Sequence, residues 1–153
     1  MNQIQIREAT PADLPQLRVF EQNVVAAERP YNDRIKSGTV HYYDIAALID
    51  SDESLVLVAA DGGRLIGSGY ASLQESKAEF AHDRHAWLGF MFIEPNYRGQ
   101  GLIQQIIGQL LTWAREAGVR DHYLDVYAGN EAAVRAYEKF GFQRNLLEMK
   151  ISD

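Results

Sequence analysis

Apolar residues recur along the chain with two different periods, and the change of period predicts where strands and helices lie. In residues 4–6, isoleucine alternates with polar residues, as in a short strand, while residues 14–27 carry apolar side chains at helical spacing. Thr10 and Pro11 predict the start of that helix, because threonine can cap it and proline suits its first position. A shorter second helix is expected over residues 43–49.

The middle of the chain has the pattern of a β-hairpin followed by a third strand. Residues 55–60 form an apolar, β-branched run, and Asp61-Gly62-Gly63 has the composition of a hairpin turn. Residues 64–73 are therefore expected to return as the partner strand. The polar residues 76–84 predict a loop, and residues 86–93 predict the next strand.

The second half of the chain predicts a strong helix, a strand, another helix and a last extended segment. Residues 103–117 place apolar side chains on a single helical stripe, and residues 122–127 have strand character. Asn130 is a plausible N-cap for a helix that ends at Gly141, and residues 142–151 are extended. The order β-α-α-β-β-β-α-β-α-β predicts a mixed α/β fold, with helices packed on one sheet.

Length and composition narrow the class of protein. A chain of 153 residues without repeats or linkers suits a single domain over residues 1–153. The net charge of −6 argues against nucleic acid as a partner, and the absence of cysteine excludes disulfides and thiolate chemistry. No run has the length of a membrane span and the first residues lack a signal-peptide core, so a cytoplasmic location without membrane contact is expected.

Residues 95–102 (PNYRGQGL) connect the apolar run 86–93 to the strong helix. A strand, a glycine turn and a helix in this order can bind an anion, because the turn and the first helical residues have backbone N–H groups without internal partners. Arg98 adds a fixed positive charge. The turn has neither the third glycine of a dinucleotide fold nor the Lys-Ser/Thr of a P-loop. The sequence thus predicts a site for a phosphorylated cofactor, and a general nucleotide-phosphate site stays open at this point.

A second run, which follows about thirty residues later, identifies the family. Residues 125–130 (DVYAGN) and 135–142 (RAYEKFGF), together with residues 93–101 (IEPNYRGQG), resemble the GNAT superfamily of N-acetyltransferases. The resemblance is tight over residues 86–142 and looser, but consistent in element order, over residues 4–73. It implies a mostly antiparallel central sheet with helices on both faces, in which two splayed strands form the acyl-CoA cleft.

The resemblance implies acetyl-CoA, or another acyl-CoA, as acyl donor, bound without a metal. Its pantetheine arm would pair with Met91, Phe92 and Ile93 like an added strand. The other implied donor contacts lie at the turn and at the start of the last helix: Arg98, Gly99, Gln100, Gly101, Leu102, Ile103 and Asn130. Ile103 departs from the family, which usually has Gly or Ala there; its side chain is expected to join the apolar stripe and leave the amides free.

The resemblance also implies direct acyl transfer to an amine, without a covalent enzyme intermediate. Tyr137 occupies the position of the general acid toward the CoA sulfur, and packing as a core aromatic is compatible with that role. Asp125 is the candidate general base, because the strand 86–93 carries no carboxylate where many relatives have Glu. The alternative for Asp125 is a solvated carboxylate on the strand face without a catalytic role. Other candidates for the base are Glu28, His41, Asp44, His85 or a chain of waters. A backbone amide near Phe92 is the expected oxyanion donor.

The acceptor site is expected in the tyrosine-rich segment that follows the first helix. Tyr31, Tyr42 and Tyr43 can form its wall, and Glu28 or Asp44 can attract a cationic amine. The alternative is that these tyrosines are packing or homodimer contacts. The sequence favours an N-acetyltransferase acting on a primary amine of a small molecule or peptide. Acetylation of protein N-termini or lysines, and a non-catalytic acyl-CoA-binding module, stay open as alternatives.

Overall fold

The computed structural model describes residues 3–153, which form four helices and five strands. The strands are β1 (Ile4–Glu8), β2 (Ser54–Asp61), β3 (Arg64–Glu75), β4 (Arg84–Ile93) and β5 (His122–Tyr123). The helices are α1 (Leu14–Glu28), α2 (Ile45–Asp50), α3 (Leu102–Glu116) and α4 (Glu131–Phe140). Short 3₁₀ turns precede α1, follow α1 and follow β4.

The five strands form one sheet in their chain order, from β1 at one edge to β5 at the other. The first four strands pair antiparallel, whereas β4 and β5 are parallel. Only two residue pairs join β4 to β5, Ala86 with His122 and Trp87 with Tyr123. Beyond these pairs, β4 and the segment that follows β5 separate, and this separation opens one end of the sheet.

Helices cover both faces of the sheet, as predicted, because each face of the strands carries its own set of buried apolar residues. On one face α3 buries six residues of its stripe, including Ile106 and Leu110, against β2, β3 and β4. On the other face α1 and α2 bury Leu17, Phe20 and Ile45 against the opposite sides of the same strands. The sheet is therefore the middle layer of a sandwich, and the open end of the β4–β5 pair lies between the layers.

Local chemistry explains where the observed helices start. α2 begins at Ile45 because the Asp44 carboxylate accepts the backbone N–H of Ala47 at 3.1 Å. Asn130 caps α4 in the same way through the N–H of Ala133, at 3.3 Å, as the sequence indicates. α3 begins directly after Gly101. The φ of this glycine, 79°, lies in the left-handed region, so Gly101 cannot belong to the right-handed helix that follows it.

Two predicted strands differ in the structure. The strand expected over residues 122–127 is reduced to His122–Tyr123, because the chain leaves β4 after that point. The segment expected over residues 142–151 has no regular secondary structure and is not a strand of this sheet. Periodicity gives a segment's extended character, whereas strand pairing depends on what lies beside it.

Candidate active site

A groove of about 910 Å³ lies where β4 and the segment after β5 separate. One wall is the end of β4 with the following turn and the start of α3, and the other is residues 125–127 with the inner side of α4. The C-terminal end of α1 closes it through Val24, Ala27 and Glu28. The groove therefore gathers residues from both halves of the chain, including most of those the sequence selects for donor binding.

A bulge turns the end of β4 toward this groove. The register between β3 and β4 shifts between Ser68 and Tyr70, and Phe90 has φ 58°, which is rare for a residue with a side chain. The Ser68 hydroxyl donates to the Phe90 carbonyl at 2.9 Å and so helps to hold this conformation. Gly89 is required beside it, since a Cβ there would lie 2.6 Å from the Tyr70 ring.

The turn before α3 carries free backbone donors. Among the described residues, no intramolecular hydrogen bond uses the backbone N–H groups of residues 99–104. Gly99 and Gly101 both have φ 79°, so two glycines shape the turn, and the space around Gly99 is open. Six consecutive free N–H groups at a helix start form a cradle that fits a phosphate or pyrophosphate.

Arg98 braces the turn as well as supplying charge. Its Nε donates to the carbonyl of Ile93 at 2.8 Å, and its guanidinium carbon lies 6.0 Å from the centre of the Phe92 ring. The rest of the guanidinium is exposed beside the glycines. Arg98 thus ties the end of β4 to the turn while keeping a positive charge at the mouth of the groove.

Ile103 joins the apolar stripe of α3 only in part. Its side chain is half-buried, packs against the α3 core and also lines the groove. Leu102 takes the fully buried place at this end of the stripe. Ile103 therefore narrows the groove without occupying the backbone donors.

Tyr137 reaches the same groove from α4. Its ring packs edge-on against Phe142, with centroids 6.0 Å apart, and both rings contact the α3 core. Burial, followed by the charges of Glu28 and Asp125, raises the pKa of Tyr137 to about 12. A phenol in this state is protonated at neutral pH and can act as a proton donor.

Two carboxylates line the groove near Tyr137. Glu28 lies at the end of α1 and is half-buried, while Asp125 follows β5 and is exposed. Burial raises the pKa of Glu28, the neighbouring Tyr42 hydroxyl offsets part of this rise, and the charge of Asp125 adds to it. The sequence predicts Asp125 as the base and Glu28 as an acceptor contact; the structure brings both to one place, within the electrostatic reach of Tyr137.

The tyrosines expected to form the acceptor wall separate into three environments. Tyr31 is exposed and stacks on Tyr127, with ring centres 6.3 Å apart, at the end of the groove. Tyr43 packs into the α1 core against Tyr70 and Phe90, which fits the packing interpretation. The Tyr42 hydroxyl is buried without a hydrogen-bond partner in the part of the chain that is described. Burial and then the nearby Glu28 carboxylate raise the pKa of Tyr42.

Glu21 is a buried carboxylate that sequence reasoning missed. This carboxylate is 1% exposed, accepts the backbone N–H groups of Tyr42 and Tyr43 at 2.8 and 2.9 Å, and contacts His41 Nδ1 at 3.0 Å. It holds the tyrosine segment on α1. A glutamate on the apolar side of a helical pattern was the available signal, since a buried carboxylate needs donors close to it.

The two histidines considered as bases lie away from the groove. His41 contacts the Glu21 carboxylate through its Nδ1. His85 belongs to a cluster near the start of β5, in which the Ser76 hydroxyl contacts both His82 and His85. Asp44 is used as the cap of α2. Within residues 3–153, no group of three or more His, Asp or Glu residues has the arrangement of a metal site. None of the helices described has both the length and the apolar character needed to cross a bilayer.

Comparison with known proteins gives a family match and distant relatives. The model of the acetyltransferase (GNAT) family matches residues 20–142, which is more than half of the chain. The chain is 33% identical to the N-alpha-acetyltransferase RimI of Mycobacterium tuberculosis over 86 residues. This aligned stretch covers 56% of this chain and 50% of that protein. It is 31% identical to the spermine/spermidine N(1)-acetyltransferase of Bacillus subtilis over 84 residues, and this stretch covers 54% of this chain and 55% of that protein. The chain thus spans about half the length of the curated relatives it matches.

Among solved structures, the fold is similar to that of the aminoglycoside N-acetyltransferase AAC(6')-Iy in complex with CoA. The TM-score is 0.80 with 18% sequence identity, and the match covers 100% of this chain and 96% of that chain. At this level of identity the likeness concerns the fold. It includes the mixed sheet and the helices on both of its faces.

Proposed function

The chain belongs to the acetyltransferase (GNAT) family, and we propose that it transfers an acetyl group from acetyl-CoA to a primary amine of a small molecule or peptide. The observation that carries the proposal is the meeting of two features in one groove. The free N–H groups of residues 99–104 form a phosphate cradle, and the protonated Tyr137 lies in the same groove. The cradle can bind the pyrophosphate of acetyl-CoA, and Tyr137 can protonate the thiolate that leaves in the reaction.

Acetyl-CoA is the donor in this proposal. Its pyrophosphate would lie on the backbone amides of residues 99–103, with Arg98 beside it, and Asn130 lines the same groove. Met91, Phe92 and Ile93 line the wall that β4 leaves unpaired beyond Trp87, so their backbone is available to an added strand such as the pantetheine arm. A backbone N–H of this wall is the proposed oxyanion donor.

The reaction we propose is direct transfer in a ternary complex. The neutral amine nitrogen attacks the thioester carbonyl and forms a C–N bond. The C–S bond then breaks, and the Tyr137 hydroxyl gives its proton to the leaving thiolate; solvent reprotonates the tyrosine. The nitrogen's proton goes to a carboxylate or to water. Cysteine takes no part, since the chain has none.

The two carboxylates of the groove, Glu28 and Asp125, are proposed to act on the acceptor amine. We propose that Glu28 takes the amine proton, because its raised pKa makes it a stronger base than an ordinary glutamate. Exposed Asp125 attracts the cationic form of the amine and keeps the Glu28 pKa high. Tyr31 and Tyr127 would form an aromatic edge of the acceptor region. A polyamine or a peptide N-terminus fits this pair, in agreement with what the names of two relatives say of those proteins.

The test combines donor binding with turnover. Acetyl-CoA is expected to raise the melting temperature of the protein, and free CoA thiol is expected to appear when a suitable amine is added. The panel should contain spermidine, an aminoglycoside and short peptides with free N-termini. Thermal stabilisation by acetyl-CoA with no turnover across the panel would favour a non-catalytic acyl-CoA-binding module. Absence of stabilisation would remove the donor from the proposal. A cytoplasmic location is part of the proposal, since the donor is an intracellular thioester.

A further inference from the structure

The hydroxyl of Tyr42 is buried next to the proposed base. Among residues 3–153 no group forms a hydrogen bond with this hydroxyl, although its oxygen is closed off from solvent. The carboxyl group that faces it is that of Glu28, and each of the two groups alters the pKa of the other. A buried O–H group without an acceptor costs free energy. The half-buried Glu28 carboxylate is therefore the acceptor toward which this hydroxyl is directed.

The backbone of Tyr42 is fixed at its other end by Glu21. This buried carboxylate accepts the backbone N–H groups of Tyr42 and Tyr43 at 2.8 and 2.9 Å. The side-chain amide of Gln22 donates to the Val40 carbonyl at 2.8 Å and fixes the same segment just before them. Three hydrogen bonds to neighbouring residues of α1 thus hold the segment 40–43 in one place on this helix.

Glu21 and Glu28 lie on the same face of α1, and Tyr42 connects them. The two glutamates are two helical turns apart, which is about 10 Å along the helix axis. The backbone N–H of Tyr42 lies at the first carboxylate and its hydroxyl at the second. Its ring packs edge-on against Tyr43, with centroids 5.8 Å apart, and this contact restricts its rotation. The position of the hydroxyl relative to Glu28 is therefore set by residues outside the groove.

Groups on several elements surround the Glu28 carboxylate. Besides Tyr42, the titratable groups of the described chain that face it are Asp125 after β5, Tyr137 of α4 and Tyr43. Burial raises the pKa of both Tyr43 and Tyr137, so these two stay uncharged at neutral pH. Arg29, the next residue, donates to two loop carbonyls at 2.7 Å. Asp125 raises the Glu28 pKa, whereas the Tyr42 hydroxyl lowers it, as a donor to the ionised carboxylate does.

We propose that Tyr42 is a positioning residue for Glu28: its hydroxyl donates to one oxygen of the ionised carboxylate and leaves the other oxygen free for the proton of the acceptor amine. This inference rests on the proposed function, in which Glu28 is the base. A carboxylate without a fixed donor can rotate, whereas a donor anchored through Glu21 selects one orientation. Glu21 contributes by holding Tyr42 in place.

Tyr42 acts through Glu28 and not by contact with the acceptor. Glu28 lines the groove, whereas Tyr42 lines a separate pocket of about 580 Å³ between α1 and the start of α2. The Tyr42 hydroxyl oxygen itself is closed off from solvent. An amine in the groove therefore meets the carboxylate, and the phenol stands behind it.

The titration of Glu28 is the first test, and it needs no turnover. Carbon NMR on protein with labelled glutamate carboxyl groups follows this titration, and the signal that is lost in Glu28→Gln assigns it. Tyr42→Phe keeps the ring and removes the donor, so the midpoint of Glu28 should move to higher pH. Tyr43→Phe, next in the chain, is the matched control and should leave the midpoint in place. A midpoint in Tyr42→Phe equal to that of the wild type, or below it, overturns the proposal.

Glu21→Gln tests the anchor of Tyr42. An amide accepts hydrogen bonds through one oxygen only, so Tyr42 is held less firmly and the Glu28 midpoint should again rise. The loss of a like charge at residue 21 would by itself move the midpoint to lower pH, which separates the two effects. Added to Tyr42→Phe, the change should cause little further rise, because both act through one hydroxyl. A fall in the midpoint, or a full further rise, contradicts the role of Glu21. If circular dichroism shows that Glu21→Gln does not fold, Tyr42→Phe decides alone.

The pH dependence of turnover is the second test. In Tyr42→Phe the acidic limb of kcat/KM should move to higher pH, opposite to the shift expected for Asp125→Asn. Above this limb, kcat should fall by up to about 10²-fold because the base is less well oriented, while KM for acetyl-CoA should stay as in the wild type. A limb and a kcat that match the wild type overturn the positioning role. If the wild type turns over no amine of the panel, the proposed reaction fails, and the Glu28 titration still decides whether Tyr42 holds this carboxylate.

Discussion

Glu28 and Asp125 line one groove, and the negative charge of Asp125 adds to the rise that burial causes in the Glu28 pKa. The two residues are almost a hundred positions apart in the chain. Glu28 ends α1, whereas Asp125 stands where the chain leaves β4 after the two pairs of β5. The open end of the sheet thus creates the carboxylate pair as well as the groove.

Replacement of Glu28 tests its role as the base. Glu28→Gln removes the carboxylate but keeps its size, so kcat should fall by roughly 10²- to 10⁴-fold, the usual contribution of a general base. KM for acetyl-CoA should change little. Steady-state release of CoA thiol with the best amine of the panel measures both constants. Glu79→Gln, on the exposed loop after β3, is the control and should keep wild-type kcat. An unchanged kcat in Glu28→Gln would remove this residue from the chemistry.

Replacement of Asp125 should move the pH dependence of the reaction. The base works only when deprotonated, so the rate declines as the pH falls through the Glu28 pKa. Asp125→Asn removes a like charge that raises this pKa. The acidic limb of kcat/KM should therefore shift to lower pH, with a moderate loss of affinity for the amine. If the limb disappears instead, Asp125 is the base itself, as the sequence alone suggests.

Replacement of Tyr137 should lower kcat more than it weakens the binding of acetyl-CoA. Tyr137→Phe keeps the ring that packs against Phe142 but removes the proton given to the thiolate, so kcat should fall by about 10²-fold or more. The melting-temperature rise caused by acetyl-CoA should persist. Tyr123→Phe is the matched control, because its hydroxyl contacts His82 outside the groove. Equal activity in the two variants would exclude the acid role.

The sequence predicts the geometry of the turn at residues 98–103 better than that of the proposed acceptor region. The turn at residues 98–103 is local: glycines, a helix start and a preceding strand are adjacent in the chain, so a short motif contains the geometry. The acceptor side depends on contacts across the fold, such as that between Asn32 and Tyr127. Residue type alone could not separate exposed Tyr31 from Tyr43, which packs into the core.

The strand predictions show a similar limit. Residues 122–127 and 142–151 both have strand composition, but pairing needs a neighbour at the right distance. The first loses its neighbour when it leaves β4, and the second pairs with no other strand among residues 3–153. Buried Glu21 also escaped prediction, because the donors that stabilise it belong to residues 41–43, some twenty positions later.

Two glycines of α3 and its preceding turn provide a matched pair for the phosphate cradle. Gly99 has φ 79°, so Gly99→Ala strains the turn, and the stabilisation by acetyl-CoA should decrease. Gly108 lies inside α3 with nothing within 4 Å of an added Cβ, so Gly108→Ala should stabilise the protein by about 0.5–1 kcal/mol. Thermal melts with and without acetyl-CoA measure both effects. A Gly99→Ala variant with the full ligand-induced shift would contradict the cradle.

The pairing of Asp13 with Arg7 predicts a pH-dependent part of the stability. Arg7 donates twice to this carboxylate, at 2.8 and 3.0 Å, and these hydrogen bonds are the main cause that lowers the Asp13 pKa below its ordinary value. A lowered pKa means that the stabilisation is present above the unfolded-state pKa and is lost as the pH falls through the folded-state pKa. Asp13→Asn should therefore cost about 1–2 kcal/mol in urea unfolding at pH 7 and much less near pH 3. Asp50→Asn, at an exposed site, should cost little at either pH. An Asp13→Asn deficit of the same size at both pH values would show that the carboxylate acts through packing and not through its charge.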